Sequence, residues 1–245
     1  MAIIAAGKIH TMIIVITGGS KGIGKAIAEK FAADKQGHTI ILAARNAEIL
    51  QAFGTDLQAR FPRTQIHTKA VDMSVPQQVK AFAEWCLSIG TPDMVVNNAG
   101  RFAPGSVHNE AQGVLEDMIN TNLYSAYHLS RALLPAMMQK KSGHVFNMCS
   151  IASVQPYTNG GSYSISKYAL LGFSKNLREE MKPYGIKVTA IMPGAAYTDS
   201  WAHSGVNPQR IMKAEDIAEL VYTVAHLSPQ ACVEDIILRP QLGDL

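Results

Sequence analysis

The sequence predicts a single-domain α/β fold, a doubly wound parallel sheet of about seven strands with helices on both faces. Two observations carry this. Short runs rich in Ile and Val alternate with helix-length segments, the pattern of βαβ units around a sheet buried on both faces. No Ser/Gly linker, internal repeat or composition shift divides the 245 residues. The domain is expected over residues 12–245, after an N-terminal extension of residues 1–11. Met1 to Ala6 is apolar but shorter than the roughly 7–15 residues of a signal h-region. Lys8 and His10 follow it, and Met12 stands just before the first convincing strand, so the stretch reads either as native or as leader sequence ahead of the true start.

The first strand is Ile13–Thr17, followed by Thr17-Gly18-Gly19-Ser20-Lys21-Gly22-Ile23-Gly24 and a helix from about Ile23. Glycines permit positive φ and let the backbone approach a pyrophosphate, while the helix N-terminus supplies free N–H groups and partial positive charge. A glycine cluster alone can be an ordinary tight turn. Between a first strand and a first helix it points to a nucleotide, with Gly18, Ser20, Lys21, Gly22, Ile23 and Gly24 as the binding residues. The second strand, Thr39–Ala44, ends at Arg45, where an NAD-preferring site usually puts a carboxylate for the ribose 2′-hydroxyl. Arg45, with Lys21 beside it, suits a 2′-phosphate and hence NADP(H); the bland alternative is two solvated cations.

A helix from about Ala47 leads to the third strand, Gln65–Val71, and Asp72 just beyond it is expected beside the adenine. A helix from about Val75 precedes the fourth strand, Met94–Asn98, which closes on Asn97-Asn98-Ala99-Gly100. Asparagines in a sheet crevice need partners, and these are expected to tie strands together and line the cofactor ribose. The longest helix, from about Gln112, carries Pro135, where it should kink or end. The fifth strand, His144–Met148, runs into Cys149 and Ser150. Strand alternation turns Cys149 to the opposite face and buries it, which argues against a nucleophile. A helix from about Ser162 carries Tyr163 and Lys167, four apart and therefore on one face. A neighbouring ammonium should lower the phenol pKa towards the range useful for proton transfer. Ser150, thirteen residues before Tyr163, offers a hydroxyl to a carbonyl on which charge develops. Lys187–Ile191, a helix from about Ala214 and Glu234–Leu238 complete the sheet. Right-handed crossovers then place ligands beyond the carboxyl ends of the strands, where strand order reverses.

Composition narrows the function classes. The chain is 47% hydrophobic and 17% charged, with a formal net charge of +3 and no block of like charges, so nucleic acid is a poor candidate partner. Three dispersed cysteines form no C-x-x-C pair and the histidines no H-x-x-x-H pair, so no metal site or disulfide framework is expected, and a reducing, cytoplasmic setting fits. No apolar run reaches the roughly 18 residues of a membrane span.

Taken together, T-G-x-x-x-G-x-G, Asn-Asn-Ala-Gly, a helix Asn, Ser, Tyr-x-x-x-Lys, and Pro193-Gly194 with Thr198 resemble the short-chain dehydrogenase/reductase family in order and spacing. The likeness covers nearly the whole chain from about Met12 and implies a Rossmann fold and a carbonyl reductase using NADPH. It implies that Tyr163 is the proton donor in reduction, that Lys167 lowers its pKa and holds the nicotinamide ribose, and that Ser150 orients the carbonyl. The helix asparagine of the family's tetrad corresponds to Asn122, with Asn120 as the competing choice. Pro193, Gly194 and Thr198 resemble the segment that contacts the nicotinamide carboxamide. A homodimer or homotetramer paired through the long helices is implied as well.

Substrate recognition in such proteins comes from short segments, here about residues 197–212 and 239–245. The first, with Trp201, His203 and Met212, reads as a lid or as helix-packing surface. The chain's ending and Pro193–Thr198 look like bacterial sepiapterin-reductase-type members, a narrower resemblance. A pterin would need a carboxylate, for which Asp199 or Asp244 is available. A 3-oxoacyl thioester is a further candidate substrate. An NADP(H)-sensing regulatory protein and a scaffold protein are the competing classes.

Overall fold

The computed structural model describes residues 11–198 and 205–245. Seven strands, β1 (Ile13–Thr17), β2 (Thr39–Ala44), β3 (Gln65–Ala70), β4 (Met94–Asn97), β5 (Gly143–Met148), β6 (Ile186–Pro193) and β9 (Asp235–Leu238), form one parallel sheet in the order β3-β2-β1-β4-β5-β6-β9. Strand order reverses between β1 and β4, so a crevice opens beyond their carboxyl ends.

Alternation along the strands divides the core. Ile14, Ile16, Ile40 and Leu42 pack with Ile27 and Phe31 of α1 (Gly22–Ala33), with α2 (Ala47–Arg60), and with Ile217 and Val221 of α7 (Ala214–Ala225). Val15, Ile41, Val95 and Val145 face the other way, onto Phe82 of α3 (Pro76–Ile89), Leu129 and Leu133 of α5 (Ser125–Lys140), and Leu177 of α6 (Gly161–Met181). Continuous apolar strands are therefore required, and each fully buried side chain of this size contributes roughly 1.5–3 kcal/mol.

Several expectations need correction. The helix placed at Gln112 begins as α4 at Val114 and runs to Ile119, and it neither ends nor is interrupted at Pro135, which lies inside α5. The break instead falls at a π-turn, Asn120–Tyr124, where one residue more than an α-turn is looped into the helix. Two short strands, β7 (Ala196–Tyr197) and β8 (Met212–Lys213), pair across the two ends of the segment read as a lid. Trp201, His203 and Asp199 lie outside the described residues. Cys149 is buried, and burial pushes its thiol up to about 11. Among the described residues no helix is long and apolar enough to cross a membrane, and no group of His, Cys, Asp or Glu is placed to hold a metal ion.

Buried Arg178 of α6 fastens the edge strand. Its Nε donates to the Val188 carbonyl at 2.9 Å, and Nη2 donates to the Glu234 carbonyl and to Asp235 Oδ1.

Candidate active site

The turn after β1 is built so that backbone meets backbone. Gly18 stands at φ +65°, and a Cβ there would come within 2.9 Å of Asn98 Nδ2. A Cβ on Gly24 would collide with the Gly18 carbonyl and approach Asn98 Nδ2 to 2.6 Å. Asn98 in turn ties the turn to β4, its Nδ2 donating to the carbonyls of Thr17 at 2.9 Å and Gly18 at 3.2 Å. Asn98 N and Ala99 N both donate to Thr17 Oγ1, at 3.0 and 2.9 Å. Helix α1 then starts with no side-chain cap and no acidic residue in its first turn, which leaves its N–H groups and partial positive charge available to an anion. Gly22 takes φ +52°, Ser20 and Ile23 are half-buried, and Thr198 Cγ2 lies 3.1 Å from where a Gly22 Cβ would be.

At the other end of the crevice Arg45 is exposed just past β2. Asp72 follows β3 by two residues, its Oδ1 accepting from Ser74 N at 2.9 Å and Ser74 Oγ at 2.6 Å. Those bonds, chiefly the hydroxyl, hold the carboxyl below its ordinary range, and the Arg45 guanidinium adds to the effect. Lys21 is exposed at the start of α1.

Ser150, Tyr163 and Lys167 converge beyond β5. Ser150 caps a short 3₁₀ turn, with Ala152 N donating to its Oγ at 3.2 Å, and its hydroxyl lies near enough to the Tyr163 phenol to act on its ionisation. Lys167 is buried, donates from Nζ to the Met148 carbonyl at 2.8 Å, and lies 5.8 Å from the Tyr163 ring centre. The electrostatics differ from the expected lowering of the phenol. Burial pushes Tyr163 above its ordinary value, the Ser150 hydroxyl beside it pulls it back, and the Cys149 sulfur raises it. Desolvation acts on the ammonium too, pushing Lys167 down to about 8.

Asn122, in the π-turn, is fully enclosed. Arg101 N donates to its Oδ1 at 2.7 Å, and its Nδ2 donates to the Arg101 carbonyl at 3.0 Å and to Ser166 Oγ at 2.8 Å. A Cβ on Gly100 would lie 3.3 Å from Asn122 Oδ1 and 3.5 Å from Lys167 Nζ, so Gly100, Asn122 and Lys167 share one corner. The geometry favours Asn122 over Asn120 as the helix asparagine of this cluster. Asn97, the first residue of Asn97-Asn98-Ala99-Gly100, is buried, donating to Ser130 Oγ and Asn147 Oδ1.

Pro193 ends β6 beside Leu238, and Gly194 N donates to the Leu238 carbonyl at 2.7 Å. Gly194 is roofed by the C-terminal segment, since a Cβ there would collide with Asp244 Oδ1. Asp244 pairs with Arg239, and Arg210 reaches the carbonyls of Leu242, Gly243 and Asp244. A cavity of about 640 Å³ lies behind this region, lined by Gly22, Tyr197, Thr198 and Ile211 among others, but not by Ser150, Tyr163 or Lys167.

Sequence reasoning missed two residues next to Tyr163. Phe102 stands edge-on to the phenol ring, centroids 5.0 Å apart, and is half exposed. Glu110 accepts from Ser162 N at 2.9 Å and from Ser162 Oγ, across 52 residues of chain. Neither belongs to a motif, although the loop that carries them comes directly after Asn-Asn-Ala-Gly.

The sequence profile described as short chain dehydrogenase matches residues 12–208. A sepiapterin reductase of Chlorobaculum tepidum is 32% identical over 241 residues, covering 95% of this chain and 98% of that one. Among solved structures, an alcohol dehydrogenase of Thermococcus sibiricus complexed with 5-hydroxy-NADP superposes with a TM-score of 0.86 at 26% identity, over 95% of this chain and 97% of that one. L-sorbose reductase of Gluconobacter frateurii, complexed with NADPH and L-sorbose, does so with a TM-score of 0.86 at 28% identity, over 93% and 95%.

Proposed function

The chain belongs to the short-chain dehydrogenase family of oxidoreductases, and we propose that it reduces a ketone or aldehyde carbonyl of a small molecule at the expense of NADPH. The convergence of Ser150, Tyr163 and Lys167 carries this reading. The side-chain-free turn at Gly18 and Gly24, the uncapped start of α1 and the cation at Arg45 fit a dinucleotide bearing a 2′-phosphate. In that reading Gly18, Ser20, Lys21, Gly22, Ile23 and Gly24 hold the pyrophosphate. Arg45 and Lys21 meet the 2′-phosphate, Asp72 the adenine, and Asn98, Ala99, Gly100, Tyr163 and Lys167 the nicotinamide riboside. Pro193, Gly194 and Thr198 meet the carboxamide. The nucleotide supplies the hydride, and the rest of the chemistry falls to the protein.

Ser150 donates a hydrogen bond to the carbonyl oxygen and Tyr163 delivers its proton there as negative charge develops, assistance worth roughly 10²–10⁴-fold. A phenol raised by burial stays protonated through the neutral range, which suits an acid and favours reduction. Lys167, charged below about pH 8, stabilises the phenolate left behind. Asn122 holds the loop at Arg101 and the turn at Ser166 on either side of that proton path.

The 32% identity to a sepiapterin reductase supports a sepiapterin-type carbonyl as one substrate candidate, and 3-oxoacyl thioesters remain the other. Exposed Tyr124, Tyr127, Ile165 and Tyr168 on the π-turn, α5 and α6 support a homo-oligomer paired through those helices. Free, buried Cys86 and Cys149 fit a reducing cytoplasm. Residues 12–245 act as one domain in this reading, with 1–11 as an extension.

The test is an NADPH-oxidation screen against sepiapterin, 3-oxoacyl thioesters, diketones and ketosteroids, run in parallel with NADH and with a Tyr163→Phe protein. The variant should bind NADPH and lose turnover. A fully active Y163F enzyme overturns the assignment, and NADPH binding without turnover of any carbonyl favours a sensing role.

A further inference from the structure

We propose that Glu110 is a positioning residue for the proton donor: through Ser162 it sets the first turn of α6, and with it the aim of the Tyr163 phenol. The proposal rests on the reading of Tyr163 as the acid.

Helix α6 begins without a side-chain cap from its own cap residue, Gly160. The early N–H groups of a helix have no partner within it, and a substitute must come from elsewhere. Here the substitute is a carboxylate from the loop between β4 and α4. Glu110 Oε1 accepts from Ser162 N at 2.9 Å while Oε2 accepts from Ser162 Oγ. Two bonds to one residue fix rotation as well as distance, and Ser162 immediately precedes Tyr163. A carboxylate also suits the partial positive charge of a helix start. The seat is shaped for it, because Gly161 takes φ +29° and a Cβ there would collide with Glu110 Oε1 and the Gly105 carbonyl.

The loop bearing Glu110 is anchored at three further points. Arg101 is bonded to Asn122, Gly105 N donates to the Asn159 carbonyl at 3.0 Å, and Ser106 Oγ donates to Asn159 Oδ1 at 2.7 Å. Between the anchors Phe102 meets the Tyr163 ring edge-on. The phenol therefore sits between a helix turn and a loop that are joined to each other by one acidic side chain. A misplacement of about 1 Å at a reacting group can cost around 10²-fold in rate, so a small rotation of this turn is enough to matter.

The test compares E110A, E110Q and Y163F with the unaltered enzyme, using NADPH and the carbonyl turned over fastest in the screen above. In E110A, kcat should fall by about 10²-fold with a much smaller change in the carbonyl KM and unchanged NADPH titration. E110Q keeps an acceptor for Ser162 N and can donate to Ser162 Oγ, so it should recover most of the lost kcat. Hydrogen exchange on the NADPH-bound proteins should show faster exchange in E110A, but not E110Q, confined to the loop and the start of α6. Unchanged kcat and exchange in E110A overturn the proposal, as do a loss confined to KM or no recovery by E110Q. If E110A does not fold, S162A carries the same test through loss of one of the two bonds, and full activity there overturns it. An active Y163F enzyme would instead sink the reading of the acid, an outcome distinct from a failed Glu110 series in an enzyme that needs Tyr163.

Discussion

Asn122 grips Arg101 by both of its backbone polar groups, accepting from the Arg101 N–H at 2.7 Å and donating to its carbonyl at 3.0 Å. The same amide nitrogen reaches Ser166 Oγ, whose hydroxyl donates to the Tyr163 carbonyl at 2.7 Å. One buried side chain thus joins the loop after β4 to the helix of the proton donor. Asn122→Ala leaves these groups without their partner, at a cost of about 1–3 kcal/mol. A lower urea midpoint and reduced kcat are expected, with Asn120→Ala close to the parent in both.

The buried ammonium predicts a pH profile. With Lys167 at about 8, its charge is lost as pH rises through that value. The kcat of carbonyl reduction should therefore bend downward above about pH 8 while Tyr163 remains protonated, and a plateau to pH 10 would contradict this role. Stability moves the other way. Because the folded pKa lies below the ordinary 10.5, the unfolded chain holds the extra proton between about 8 and 10.5. Lys167 then weakens the fold fully below about 8, and stability recovers with rising pH, by roughly 3 kcal/mol at most. Urea titrations at both ends of that window should show the slope in the parent and its loss in Lys167→Met.

Cofactor choice should reside in Arg45. Removing a charge-assisted hydrogen bond costs about 1.5–3 kcal/mol, so Arg45→Ala should weaken NADPH binding by roughly 10–100-fold and leave NADH binding nearly unchanged. Fluorescence titration with both nucleotides decides it; equal losses would move 2′-phosphate recognition elsewhere.

The edge strand should depend on Arg178. Its guanidinium satisfies two backbone carbonyls and Asp235 from a buried position. Arg178→Ala strands those acceptors and should cost about 3–5 kcal/mol, read as a shift in the urea midpoint. Hydrogen exchange should place the damage at β9 and the adjacent part of β6.

How much of the fold is legible in the sequence depends on how local each cause is. The runs Ile13–Thr17 and Thr39–Ala44 announce themselves because a strand covered on both faces has no polar positions to disguise it. The glycine turn and the Tyr163–Lys167 pair are legible because their partners lie within one helix turn or one βα unit. Pro135 misleads because α5 continues to Lys140, accommodating the missing N–H, while the π-turn that ends eleven residues earlier carries no Gly or Pro to mark it. The Tyr163 shift is misjudged because an ammonium at helical spacing is visible in sequence and the burial that raises the phenol is not. Glu110 escapes for the same reason of distance, since nothing near residue 110 points to residue 162.

The π-turn makes the helix behind the cleft a phase shifter. Each added residue advances an α-helix by about 100°, so the extra residue at Asn120–Tyr124 sets the angular offset between α4 on one side of it and α5 on the other. Upstream, Met118 is buried; downstream, Leu129, Leu133 and Met137 pack into the core beneath the sheet. A shortened helix could keep every amino acid named in the active site and still be unable to point Asn122 at Arg101 while keeping α5 on the sheet. Length in this segment is constrained as tightly as identity, and a one-residue deletion here should do more damage than most substitutions.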